Sequence, residues 1–234
     1  MRKRRAVGIF IVGTVVIALL AGAMPRMIEE SVPAQPSSTV TSPSDQTLTA
    51  PKNSALESLE ELAVKGRAPK TNYDRSQFGD GWGSVLGCST RDIILNRDLT
   101  DVVFDGECSV ASGVLNDPYT DKKIIFSKDD ASKVQIDHVV ALSDAWQKGA
   151  QLLSRGVRKQ LANDPLELLA VDGSSNQQKS DGDAATWLPK NKGFRCEYVA
   201  RQIAVKIKYH LWVTQAEKEA MASVLSGCPA HPLP

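Results

Sequence analysis

An α+β fold, with helices dominating the C-terminal half, follows from three features of the 234-residue sequence. Short apolar runs with strand alternation lie mid-chain at Lys123 to Phe126 and Lys133 to Val140. Apolar residues at three- and four-residue spacing run from Phe194 to Leu211, and four cysteines punctuate the chain from residue 88 onward. With 42% hydrophobic and 24% charged residues, the composition supports one sizeable core and excludes a wholly disordered or coiled-coil protein.

In chain order, a basic start (Arg2 to Arg5), an apolar run (Ala6 to Leu20) and the small residues Ala21-Gly22-Ala23 form the pattern of an export signal. Residues 1–23 are therefore expected to be a signal peptide cleaved after Ala23. The rival reading is an uncleaved anchor, because Ala6 to Ala23 falls just short of the ~20 residues that span a bilayer. Both readings place the rest of the chain outside the cytoplasm, and the first makes it a secreted protein. Loss of the four basic residues takes the formal charge from +1 to −3. Such a chain does not bind polyanions by bulk charge, so nucleic-acid contact needs a local patch. Lys190, Lys192, Arg195, Arg201, Lys206 and Lys208 are the candidates for it.

Residues 24–53, rich in Ser, Thr and Pro, bury too little apolar surface to order themselves and are expected to form a flexible tether. Ser54 with Glu57 forms a capping box that opens a short helix over 54–66, with Leu56, Leu59 and Leu62 at helical spacing and Gly66 at its end. This helix either packs on the domain assigned to 67–234 or merely precedes it. The compact part opens near Tyr73. Short elements broken by turns follow, with Gly79, Gly81, Gly83 and Gly87 around Trp82 and the turn Asn116-Asp117-Pro118-Tyr119 before the first strand run. After Lys133 to Val140 come helical patterns from about Ser143 to Gln160, a strand-like run Leu166 to Val171, a turn at Asp172-Gly173, and a helix carrying Asn176. A second capping box, Thr214 with Glu217, starts the last helix, closed by Gly227.

An even cysteine count in an exported chain indicates disulfides. Cys88 with Cys108 and Cys196 with Cys228 is the favoured pairing, because each pair brackets one continuous stretch. Zinc is disfavoured, since no Cys-x-x-Cys occurs and His138, His210 and His231 are scattered. Trp82, Trp146, Trp187 and Trp212 are assigned to packing, with at most one left to stack on a base.

The chemistry concentrates between Gln135 and Asp183. Asp137 and His138 join a metal-binding carboxylate to a titratable base at the end of a strand. Hydrolysis of a phosphodiester needs a nucleophilic water on one side of phosphorus and charge neutralisation at the leaving oxygen on the other. Adjacent strand residues point to opposite sides and can divide those tasks. Beyond them lie Asn163-Asp164-Pro165, the Leu166 to Val171 run, and Asn176-Gln177-Gln178-Lys179. This order resembles the HNH nuclease family. The wider chain from Tyr73 to Cys228 is similar to secreted bacterial relatives of the C-terminal domain of GmrSD-type restriction endonucleases. Cys88-Ser89-Thr90-Arg91-Asp92, Asn116-Asp117-Pro118-Tyr119 and Ala185-Thr186-Trp187-Leu188-Pro189 add to that likeness.

The resemblance implies a small ββα-metal core (HNH, or His-Me finger) embedded in a mainly helical domain with two disulfides. It implies an endonuclease that hydrolyses DNA with Mg²⁺ or another divalent cation. In that reading His138 is the general base, and Asp137 and Asn176 hold the cation, the rest of its shell being water and phosphate. Lys179, one turn after Asn176, is placed to touch a phosphate. The residue that orients His138 is either Asn163 or Glu167. The bland readings stand beside these: a satisfied core histidine, a helix-capping Asn163, a solvated Lys179. Two rival functions remain, an extracellular binding domain with a vestigial site and a nuclease directed at RNA.

Overall fold

The computed structural model describes residues 52–234; the expected signal peptide and nearly all of the tether lie outside the described residues. The helix α1 (Ala55–Glu61) is capped by the Ser54 hydroxyl, which accepts from the Glu57 amide at 3.1 Å. It belongs to the folded body, because Ala55, Leu59 and Leu62 are buried in the main core and a bridge pairs Ser54 with Pro232. The body thus begins before Tyr73.

Two short strands, β1 (Ser84–Val85) and β2 (Cys88–Ser89), form a hairpin that leads into α2 (Thr90–Asp98). Next comes an antiparallel meander of β3 (Leu99–Asp105), β4 (Ser109–Asn116) and β5 (Lys123–Ser127). Then β6 (Val134–His138) pairs antiparallel with β7 (Leu168–Asp172), placing His138 opposite Leu168 and Asp137 opposite Leu169. Between those strands lie α3 (Leu142–Gln147), a 3-10 turn (Ala150–Leu152) and α4 (Arg155–Ala162). The expected Ser143 to Gln160 helical stretch is split there by Gly149, whose φ of 123° breaks the helix, and by Ser154, which caps α4. From β7 the chain enters α5 (Gly173–Lys179) directly, and α6 (Arg195–Lys208) and α7 (Gln215–Leu225) complete the fold. The Thr214–Glu217 capping box forms at the start of α7.

Two apolar clusters share the β6–β7 hairpin. Val134, Ile136, Leu168 and Ala170 face a small core made with α2 and the meander. Leu169 and Val171 face the larger core, which includes α1, α3, α6 and α7. Period-2 alternation therefore sends Gln135 and Asp137 to one side of β6, and His138 to the other. With both faces packed, neither strand can slip register without exposing a core face.

Both disulfides have the expected partners: Cys88–Cys108 ties β2 to the β3–β4 turn, and Cys196–Cys228 ties α6 to the chain after α7. Behind α3, Lys148 is fully buried and reaches Asp144, Asp183 and Glu217 at 2.6 to 2.8 Å. Lys206 joins Glu217 at 3.0 Å, and Arg67 closes the cluster on Asp144 and Asp183 at 2.7 Å. Three cations thus balance three carboxylates, which such burial requires. This corrects the expected basic patch on α6. Lys206 is internal, Lys208 pairs with Asp164 at 2.6 Å, Arg195 donates to the Pro189 carbonyl, and Arg201 donates to the Leu166 carbonyl. No helix among the described residues is long and apolar enough to cross a membrane.

Candidate active site

The end of β6 and the start of α5 bring the sequence candidates together. A polar cleft of ≈ 270 Å³ is lined by Asp137, His138 and Asn176, with Arg75, Ser143 and Asp181 at its walls. Asn176 reaches it because Asp172 caps α5, its carboxylate accepting from the Ser175 amide at 2.8 Å. The helix can start that close to β6 only because residue 173 is glycine: a Cβ there would lie 2.0 Å from the Ser132 carbonyl oxygen. The Asn176 amide nitrogen donates to Gln135 Oε1 at 2.9 Å, which fixes which end of the amide is held and leaves its oxygen as an acceptor.

Asp137 is 4% exposed and held at both oxygens. Lys179 Nζ lies 2.8 Å from Oδ1 and 2.7 Å from the His138 carbonyl oxygen, and the Tyr119 hydroxyl donates to Oδ2. The Lys179 side chain is almost wholly buried and is not part of the cleft wall, so its place differs from that of a phosphate contact. A lysine one turn after Asn176 lies on the same helix face, and here that face looks at the strand. Burial pushes the Tyr119 phenol well above its ordinary value, with the Asp137 charge adding to it, so the tyrosine stays a donor.

The His138 ring is set by two contacts. Its Nε2 lies 3.0 Å from the Ala162 carbonyl oxygen, which can only accept, so the proton sits on Nε2 and Nδ1 keeps the lone pair. Trp82 stacks on the ring, centroids 5.6 Å apart and planes within 8°. Its pKa is lowered from 6.5 to about 3, chiefly by burial, with the Ala162 carbonyl opposing the shift and the positive charges of Arg75 and Lys179 adding to it. The imidazole is therefore neutral at pH 7, and an anionic phosphate placed in the cleft raises its basicity.

Neither expected orienting residue touches the imidazole. Asn163 ends α4, donates to the Lys159 carbonyl at 2.9 Å and accepts from the Gly83 amide at 2.6 Å. It anchors the segment that carries Trp82 through the Gly83 amide, while its local bond to Lys159 closes the helix. Glu167 is fully buried; its Oε2 accepts from the Val140 amide at 3.2 Å, and burial pushes its carboxyl well above the ordinary range. It holds the backbone that follows His138, and the hydrogen-bond contact to the imidazole comes from the Ala162 carbonyl.

Sequence reasoning missed Arg75, Tyr119 and the placement of Trp82. Arg75 is exposed and borders both the polar cleft and the pocket next to it. Tyr119 arrives through the Asn116 to Tyr119 turn: Asp117 accepts from the Asp172 amide at 2.8 Å, and Asn191 donates to the Pro118 carbonyl at 3.1 Å. The signal for it was present, since that turn was among the stretches carrying the family likeness.

Among the described residues no group of three His, Cys, Asp or Glu side chains has the spacing of a metal cage. The donor set at the cleft, one carboxylate and one amide oxygen, fits a divalent cation that keeps most of its water.

Residues 89–224 match the family model described as GmrSD restriction endonucleases, C-terminal domain. A protein of Arthroderma benhamiae, named only as an uncharacterized secreted protein, is 38% identical over 179 residues, spanning 75% of this chain and 85% of its own length. No solved structure matches. The matched segment includes α2, the meander, the β6–β7 hairpin, α5 and α6, and the chain belongs to the family of the C-terminal domain of GmrSD restriction endonucleases.

Proposed function

We infer that this is a secreted, metal-dependent nuclease that hydrolyses phosphodiester bonds of DNA, with β6, β7 and α5 as its ββα core. The observation that carries the reading is the shared cleft: Asp137, His138 and Asn176, far apart in part along the chain, face one polar cavity, with the histidine tautomer fixed so that Nδ1 keeps its lone pair. The family supports nuclease chemistry. The two disulfides and the secreted relative support export, for which residues 1–23 supply the signal.

His138 Nδ1 takes the proton of the attacking water, and the carbonyl of Ala162 holds the imidazolium that results. Arg75 draws the phosphate to the cleft mouth as a planar donor. Asp137 Oδ2 and the Asn176 amide oxygen would hold the divalent cation, Mg²⁺ by the hardness of the donors, which supplies charge neutralisation at the departing oxygen. Tyr119 and Lys179 hold the Asp137 carboxylate in place.

Purified protein lacking the signal should degrade plasmid DNA with added Mg²⁺ and stop when a chelator is added. His138→Ala should lower the rate by about 10² or more, the range for a general base, while its circular dichroism spectrum matches that of the parent. Full activity in that variant removes the proposed base. One observation favours a second reading, a binding domain with a vestigial site: the Asp137 carboxylate is already neutralised by Lys179. A calorimetric titration that finds no divalent-ion binding selects it.

A further inference from the structure

Next to the polar cleft lies a second pocket of ≈ 320 Å³, within the size range of small-ligand sites. The two share Arg75, His138 and Leu142, so they are neighbouring compartments of one depression. Their chemistry differs. The first carries Asp137, Asn176 and Asp181, whereas the second is walled by Phe78, Trp82 and Leu142 and has Arg75 as its one permanent charge. Trp82 is part-exposed and lines the pocket; the His138 imidazole stacks on one face of its indole, so a base would use the other.

A site that holds a phosphodiester needs a place for what is attached to the phosphate. On one side of Arg75 the surface suits the phosphate; on the other it is apolar and flat. We propose that this second pocket takes one unpaired nucleobase next to the scissile phosphate, stacked on Trp82, with Arg75 bridging base site and phosphate site. The inference rests on the nuclease reading and adds to it a preference for single-stranded or locally opened nucleic acid. A base inside a duplex has both faces covered by its neighbours and cannot also lie on an indole. The absence of acidic groups from the pocket wall agrees with an occupant tethered to a phosphate.

The test uses protein lacking only the signal, with dAMP and 2-deoxyribose 5-phosphate as calorimetric probes that differ by the base alone. The parent should bind dAMP about ten- to a hundredfold more tightly, the range for stacking one base on an aromatic side chain. Trp82→Ala should bring that ratio close to one and Trp82→Phe should keep most of it, whereas Arg75→Ala should weaken both probes and preserve the ratio. Equal binding of the two probes by the parent overturns the proposal, as does an unchanged ratio in a folded Trp82→Ala protein. A measurement that needs no variant is cleavage of a single-stranded oligonucleotide with one abasic position. Depletion of cuts at one phosphate beside the gap supports the subsite, and uniform cutting overturns it while leaving the nuclease reading intact. Base-dependent binding without any cleavage has the opposite meaning: the base site stands and the nuclease reading fails.

Discussion

Lys179→Met tests the centre of the site. The Lys179 ammonium and the Asp137 carboxylate are 2.8 Å apart, with side chains 1% and 5% exposed. At an effective dielectric of about 20 their attraction is about 6 kcal/mol gross. Methionine keeps the length and much of the stem and removes the charge. Asp137 then retains the Tyr119 hydroxyl alone, and the His138 carbonyl loses its donor. Removing one partner of a buried pair costs about 3–5 kcal/mol, because the remaining charge stays in the interior. With a urea slope of about 2 kcal/mol per M, the unfolding midpoint should fall by roughly 2 M. Asp137→Asn introduced together with Lys179→Met should recover a large part of that loss, since neither charge is then stranded. A loss below about 1 kcal/mol, or additive effects in the double variant, refutes the argument that the pair neutralises itself. The same variant tests metal ligation. With the competing ammonium gone, Mg²⁺ at about 100 times its dissociation constant should restore about 2.7 kcal/mol. No recovery means that Asp137 does not hold the cation.

Acid stability should report the buried imidazole. His138 titrates near 6.5 when unfolded and at about 3 in the fold. Its contribution is therefore full above pH 6.5 and is lost as the pH falls toward 3, because the unfolded chain then binds the extra proton. The loss should reach about 3 kcal/mol by pH 4, and His138→Gln should flatten the urea-midpoint profile between pH 6.5 and 4. Gly173→Ala should shift the start of α5, since its Cβ meets the Ser132 carbonyl oxygen at 2.0 Å. It should cost about 1–3 kcal/mol and lower nuclease activity by more than the unfolded fraction explains. Replacing either cysteine pair by serine should cost about 3–4 kcal/mol for loops of 20 and 32 residues. Kinetics at 10 °C should separate them, because only Cys88–Cys108 anchors the hairpin that follows Trp82, so its loss alone should raise KM.

Much of the secondary structure was legible because local rules and tertiary packing agree. Both capping boxes predicted helix starts where Ser54 and Thr214 cap α1 and α7. The alternation of Val134 and Ile136 marked β6, and the bracketing of the cysteines gave the pairing seen. The meander was less legible. β4 contains Ser109, Ser112 and Gly113, and β3 bulges between Thr100 and Val103, so neither reads as a clean period of two. The site divides in the same way. Asp137, His138 and Asn176 follow from strand and helix order, but Lys179, Asn163 and Glu167 were assigned directions that a one-dimensional pattern does not contain. Whether a lysine on a helix faces solvent or a buried carboxylate depends on where the helix docks, and that depends on Gly173 and the Ser132 carbonyl.

The stretches flanking the Asp-His pair have a common physical purpose. The Asn116 to Tyr119 turn is fastened to β7 through Asp117 and to the loop before α6 through Asn191, and these two attachments deliver Tyr119 to Asp137. Trp187, from the Ala185 to Pro189 stretch, packs against Tyr119 with ring centroids 5.0 Å apart. Ser89, from the Cys88 to Asp92 stretch, caps α2 by accepting from the Asp92 amide, and the Asp92 carboxylate accepts from the Val110 amide, fixing the small core under the outer face of the β6–β7 hairpin. Each flank thus fixes one wall of the hairpin, and the candidate site residues occupy the end left open between the walls. A carboxylate with 4% exposure is tolerated there only while its donors stay in place. The residues most exacting for folding and the proposed site residues are for that reason next to one another. Substitutions at Tyr119 and Lys179 will have to be judged by activity per folded molecule, not by total activity.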